Sequence, residues 1–199
     1  MNFEIVVATT NKHKMKEYRE ILSPFGITLY SFSDLNITLP DVEENGTNYE
    51  ENALIKVNAC KDIVKFPVLS DDSGLEVESL DNKPGLNTAR FAKECGGQIL
   101  ANNKIVETCS KENRNAKFKC VISLANLTNK PLIFEGVCEG KIKEEYNNEE
   151  SFGYDPIFVE NTTGKLFSDL AGKEKNKLSH RGKACKKLIT YLKIMGYIR

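Results

Sequence analysis

The chain has 199 residues, of which 40% are hydrophobic and 28% charged, enough for one sizeable core and short enough for one compact domain over residues 1–199. Its 28 Lys and Arg residues balance its 28 Asp and Glu residues, so no net field favours nucleic acid or an anionic membrane, and any anion site must be local. No apolar run approaches the roughly 20 residues that span a bilayer, and MNFEIVVATTNKHK lacks the pattern of a secretory leader, so a cytoplasmic protein without a membrane partner is expected.

The opening FEIVVAT is short, apolar and rich in β-branched residues, the composition of a buried strand. It feeds the polar TTNKHK, after which Met15, Tyr18, Ile21 or Leu22 and Phe25 recur at helical spacing until Pro24 and Gly26 close the helix. A second strand is expected over ITLYSFSDL, and the acidic loop DVEENG follows it. In Thr47-Asn48-Tyr49-Glu50 the Thr-x-x-Glu spacing matches a capping box and predicts a helix that carries Ala53, Leu54, Val57 and Ile63 or Val64 and stops at Pro67. PVLSDDSG reads as a short strand that delivers Asp71 and Asp72 to a turn at Gly74, with LEVESL as a strand beyond it. Residues 81–97 read as loop, and a helix is expected from about Gln98 to Cys109. From Ala116 the period becomes that of strands, and AKFKCVISL and PLIFEGVCEGKIK form a hairpin through Asn129-Lys130-Pro131. The last helix starts with Ser179 as its N-cap and puts Ala184, Leu188, Leu192 and Met195 on one face. Helices and strands interleave without a repeat or a long linker, which predicts a mixed α/β fold.

Several polar constellations interrupt this frame. TTNKHK lies between a strand and a helix, where free backbone N–H groups and the positive end of the helix dipole suit phosphate. Asn11 can donate through its amide, and Lys12, His13 and Lys14 add charge, although a basic helix start is also the composition of a solvated face. Neither common nucleotide loop, G-x-x-x-x-G-K-[ST] or G-x-G-x-x-G, is present. Asp71 and Asp72 point to opposite faces if the strand stays extended, so only one enters a given site, and one or two carboxylates suffice for Mg2+ when phosphates supply further oxygens. As turn formers, the same two residues equally suit a cap before Gly74. LSHRGKA sets His180 and Arg181 in a first helical turn, where the dipole disfavours cations unless something anionic or acceptor-rich sits opposite, and Lys173, Lys175 and Lys177 precede them. FGYDPIF, residues 152–158, is either a tight turn built on Asp155-Pro156 or the wall of a pocket with ring faces for a flat ligand. The six cysteines are scattered, with no C-x-x-C pair and no zinc-ligand spacing, so reduced and mostly buried thiols are expected.

Taken together, these segments resemble the inosine triphosphate pyrophosphatase family, which hydrolyses deaminated purine nucleoside triphosphates. The resemblance rests on T-x-N-x-x-K (Thr9, Asn11, Lys14), Glu51-Asn52-Ala53, SDDSGL (Ser70 to Leu75), PG-x-x-[TS]-AR (Pro84, Gly85, Thr88 to Arg90), FGYDPIF and SHRG-x-A (Ser179 to Ala184), in the family's order over nearly the whole chain. It implies an elongated, curved mixed β-sheet flanked by helices, two lobes with a central substrate cleft, a homodimer, a Mg2+ requirement, and conversion of ITP, dITP or XTP to the monophosphate and pyrophosphate. It further implies that Thr9, Thr10, Asn11, Lys12, His13 and Lys14 hold the triphosphate, with Asp72 the catalytic carboxylate acting on water and metal, Glu43 a second metal ligand, and Ser73 a substrate contact. Phe152, Gly153, Tyr154 and Asp155 would line the base and sugar pocket, and Lys175, His180 and Arg181 would complete its base end. Thr10 stands where many relatives have Gly, and residues 93–107 depart from the family's pattern, so nothing is carried over to that segment. A pyrophosphatase for pyrimidine or other modified nucleotides, and a nucleotide-binding regulator without turnover, are the other functions that these motifs suit.

Overall fold

Alternation along the first strand decides the layering of the protein's first half. The computed structural model describes residues 3–199, which run β1 (Phe3–Val7), α1 (Lys12–Leu22), β2 (Ile27–Ser31), α2 (Tyr49–Cys60), β3 (Val68–Val77), β4 (Lys83–Pro84), α3 (Thr88–Glu94), α4 (Gln98–Thr108), β5 (Asn115–Ala125), β6 (Leu132–Ile142), β7 (Phe158–Glu160), α5 (Gly172–Leu178) and α6 (His180–Ile194). Hydrogen bonds join the strands in the order β2-β1-β3-β5-β6-β7, with β4 on β3. β1 is parallel to β2 and β3, whereas β4 and β7 are antiparallel to β3 and β6, so the open sheet is mixed, as expected. Among the described residues no helix is long and apolar enough to cross a membrane.

The chain divides into two compact units. One takes the residues up to Asp72, 120–136 and 181–199, and the other takes 73–119 and 137–180. In the first unit, Ile5 and Val7 pack with Met15, Tyr18 and Leu22 of α1 and with Ala184, Leu188 and Leu192 of α6. Val6 and Ala8 pack instead with Val57 and Cys60 of α2. A strand buried on both faces has no polar positions to spare, which is why its buried stretch Ile5 to Ala8 reads as continuously apolar. The second unit has its own core, in which Leu75, Val77, Ile105, Phe118, Phe158 and Phe167 are buried together.

Several expectations change. β3 runs unbroken through Gly74, so SDDS forms no turn, and Asp71 and Asp72 both lie in the strand. The α2 cap is Asn48 rather than Thr47: its side chain accepts from the Glu51 N–H, and Glu51 reaches back to the N–H and hydroxyl of Thr47. The helix stops at Cys60, because Asn126 donates to the carbonyls of Lys61, Val64 and Phe66 and holds that segment as a turn, leaving Ile63 exposed. Residues 81–97, expected as loop, contain β4 and α3. Met195 leaves the apolar face of α6, since Gly196, at φ 75°, turns the chain back with its N–H on Lys193 and the Tyr197 N–H on Leu192. Among the described residues the six cysteines form no disulfide, and five of them are buried.

Where β6 meets β7, Gly140 lies opposite Glu160, and a methyl group there would run into the Phe158 ring and the Val159 carbonyl. Backbone cannot swing aside as a side chain can, so the Gly140→Ala protein is expected to lose about 1–3 kcal/mol, read as a lower urea midpoint with an unchanged slope.

Candidate active site

Two short side chains shape the loop after β1. Thr9 Oγ1 accepts from the Asn11 N–H at 3.1 Å, and Asn11 Oδ1 accepts from the His13 and Lys14 N–H groups at 2.9 and 3.1 Å. The helix start therefore offers fewer amides to an anion than TTNKHK suggests, because Asn is among the best N-cap residues and takes two of them itself. Thr10, Asn11, Lys12 and His13 are exposed, and Thr9 and Lys14 are half-buried.

β3 carries the acidic centre. Asp71 is 2% exposed and accepts from Lys14 Nζ at 2.8 Å, with Arg181 NH2 at 3.5 Å. Burial alone would push its carboxyl up, but the charges of Lys14, Arg181 and Lys56 outweigh that and hold it well below the usual carboxylate range. Asp72 accepts from Asn52 Nδ2 at 3.0 Å, and Lys56 Nζ lies 3.6 Å from its other oxygen. Here burial wins over Lys56 and Asn52, so the Asp72 carboxyl is raised and its carboxylate is the more basic of the two. Asn52 and Lys56 stand one helical turn apart on α2, the spacing that brings two side chains to one point.

Lys56 also donates to Glu44 at 2.9 Å, so it bridges Glu44 and Asp72. Through Lys56, Glu44 is thus linked to Asp72, and Glu43 is exposed in the same loop. Glu44 adds to the raising of Asp72. Lys56 was not singled out in the sequence, although its place four residues after Asn52 in a helix aimed at SDDSGL was the available signal.

Arg181 and His180, adjacent in sequence, serve different surroundings. Arg181 NH1 donates to Glu17 of α1, its guanidinium lies 5.5 Å from the centre of the Tyr18 ring, and it is 2% exposed. Within the first unit it therefore stands with Lys14 and Asp71. The His180 ring instead stacks on Phe118 in the second unit, with centroids 4.8 Å apart and planes 13° apart.

In the second unit, FGYDPIF is a turn that holds a carboxylate. Gly153 takes φ 56°, its carbonyl accepts from Asn102 Nδ2 at 3.2 Å, and Asp155 begins a 3₁₀ turn. Tyr154 is buried and donates through its hydroxyl to the Thr88 carbonyl at 2.9 Å, so it anchors the turn from inside. Asp155 pairs with Lys175, whose ammonium lies 5.6 Å from the ring centres of both Phe152 and Phe167. Ser73 follows Asp72 on β3 and is half-buried. Asn102 lies within residues 93–107, to which no role was given; a polar residue between the buried Ala101 and Ile105 was the signal there.

The chain matches the model of the Ham1 family over residues 5–191. It is 41% identical over 181 residues to the dITP/XTP pyrophosphatase of Desulfotalea psychrophila, covering 90% of this chain and 81% of that one. To the protein of the same name from Bacillus subtilis it is 39% identical over 191 residues, 93% of this chain and 94% of that one. Among solved structures it is similar to a HAM1 protein from Coxiella burnetii, at TM-score 0.82 and 35% identity, covering 96% of this chain and 98% of that one. The Ham1 protein of Staphylococcus aureus matches at TM-score 0.81 and 34% identity with the same coverage.

The two carboxylates make opposite contributions to stability. Asp71 titrates lower in the folded chain than in the unfolded one, so its contribution is complete above the unfolded value of about 3.9 and is lost as pH falls towards the folded value. Asp72 titrates higher when folded, so its charge costs stability at neutral pH. In urea at neutral pH, Asp71→Asn is expected to lose about 3 kcal/mol, as for other broken buried pairs, and Asp72→Asn to match or exceed the wild type. The Asp71→Asn deficit should shrink as the pH is taken below about 4.

Proposed function

The chain belongs to the Ham1 family, and from that premise we propose that it is a nucleoside triphosphate pyrophosphatase. It hydrolyses the deaminated purine nucleotides ITP, dITP and XTP to the nucleoside monophosphate and pyrophosphate, removing them from the nucleotide pool. The observation that carries the mechanism is the pair on β3, where one carboxylate is held ionised by cations and its neighbour is made more basic by burial.

Water attacks the α-phosphorus, and Asp72 accepts its proton. Phosphoryl transfer asks the protein mainly to position groups and neutralise charge, so no covalent nucleophile is required. Lys14, the half-buried Thr9 and the exposed Thr10, Asn11, Lys12 and His13 engage the triphosphate. Mg2+ suits the remaining donors, since Glu44 and Asp72 already share one positive charge in Lys56; held by them and by phosphate oxygens, it would neutralise phosphate and acidify the attacking water. At the base end, Phe152 supplies a ring face and Lys175 and His180 supply donors to a 6-oxygen. Adenine presents an amino group at that place, and an unmatched buried donor costs about 1–3 kcal/mol, a tenfold to hundredfold preference. The family resemblance also supports a cytoplasmic homodimer.

The test is to supply Mg2+ with ITP, XTP, GTP or ATP separately and to measure pyrophosphate against orthophosphate. Pyrophosphate is expected from ITP and XTP at rates at least about tenfold above that for ATP, whose position 6 carries an amino group; the family resemblance implies that GTP, which keeps the 6-oxygen, is also slow. Asp72→Asn should lower kcat by about 10²–10⁴-fold with nucleotide affinity nearly kept. Orthophosphate as the product, or an active Asp72→Asn enzyme, would sink this mechanism.

A further inference from the structure

The proposed reaction uses one face of β3 at Asp72 and gives no task to the other face, where Asp71 is the most deeply buried carboxylate of the pair. Asp71 holds a lysine that the triphosphate needs. Lys14 is fixed at both ends, its backbone N–H by Asn11 Oδ1 at 3.1 Å and its Nζ by Asp71 at 2.8 Å. An ammonium has three N–H groups, so one directed at Asp71 leaves others for phosphate oxygens. Side-chain exposure is 18% for Lys14 and 1% for Asp71, which places the carboxylate behind the ammonium as seen from solvent.

Asp71 is itself fixed. Arg181 of α6 lies 3.5 Å from it through NH2 and donates through NH1 to Glu17, which stands nearly one turn after Lys14 on α1. The linkage runs from Lys14 to Asp71 to Arg181 to Glu17 and returns to the helix on which it began. The Tyr18 ring beside Arg181 and the Cys120 thiol, 3.9 Å from Asp71, keep this linkage away from bulk water, where salt would screen it.

We propose that Asp71 is a positioning residue for triphosphate hydrolysis, which fixes the Lys14 ammonium at the start of α1 and is held in turn by Arg181 and Glu17. The proposal rests on the pyrophosphatase reading above. Charge on the phosphates changes as the leaving pyrophosphate separates, and an ammonium already in place stabilises that change, whereas a mobile one follows it late.

The experiment is a double-mutant cycle on ITP hydrolysis with Asp71→Asn and Lys14→Met, with kcat referred to the folded fraction measured in urea. Asp71→Asn should lower kcat by about tenfold or more and leave KM within about threefold, because a loose ammonium still attracts triphosphate in the ground state. Within Lys14→Met, the further change Asp71→Asn should alter kcat by less than about threefold, since there is no ammonium left to position. If Asp71→Asn does not fold, Glu17→Gln enters the same cycle, with a loss of about threefold that disappears in the Lys14→Met background. Losses that multiply in the cycle, or a wild-type kcat in both Asp71→Asn and Glu17→Gln, overturn the positioning role and leave the pyrophosphatase reading standing. No pyrophosphate from ITP with the wild-type enzyme overturns that reading and the positioning role with it.

Discussion

Successive side chains on an extended strand leave on opposite faces, and in β3 that rule falls on two adjacent aspartates. Everything else at the acidic centre follows from the separation. Asp71, on the more buried side, would be too costly to ionise alone, so it gathers Lys14 and Arg181. Asp72 meets Asn52 and the shared Lys56, which do not offset its burial, and so it remains basic enough to accept a proton. A turn at Gly74 would have released this constraint, since neither side chain would then have had a fixed face.

The buried charges come close to cancelling: Lys14 and Arg181 stand against Asp71 and Glu17 in the first unit. Such a group adds little net stability compared with an apolar replacement, yet loss of any one member strands a charge away from water. It does link α1, β3 and α6 at defined atoms, where apolar contacts alone would allow sliding. A site that must place an ammonium within a few tenths of an ångström needs that kind of directional contact.

Local features were legible in the sequence, and partner choices were not. The β-branched run of β1, the Asn-led start of α1, its Pro24 and Gly26 ending and the opposed faces of Asp71 and Asp72 all depend on neighbouring residues, which a sequence displays. Gly74 was misread because a glycine among Asp and Ser favours a turn locally, whereas strand pairing overrides that preference. Glu43 and Glu44 are indistinguishable by composition, and only the position of Lys56 on α2 shows that Glu44 is linked to Asp72. His180 and Arg181 look like one motif, yet the helical rotation sends one to a stack of rings and the other to two carboxylates.

The FGYDPIF segment posed a choice between a turn and a pocket wall, and its geometry is that of a turn, on which the pocket wall of the proposed reaction would be built. The left-handed Gly153 and the inward Tyr154 set the turn, and the turn buries Asp155, which then fixes Lys175 beside the Phe152 and Phe167 rings. Lys14 with Asp71 in the first unit repeats the arrangement of Lys175 with Asp155 in the second. In each, a partly exposed lysine is held by a carboxylate less exposed than itself, at 18% against 1% and at 12% against 9%. A free lysine side chain carries about 2 kcal/mol of rotamer entropy, which a ligand must otherwise overcome when it arrives. Under the proposed function, fixing the ammonium during folding would move that cost out of the binding step, so that a chain with no net charge could still offer strong local donors to an anion and to a carbonyl oxygen.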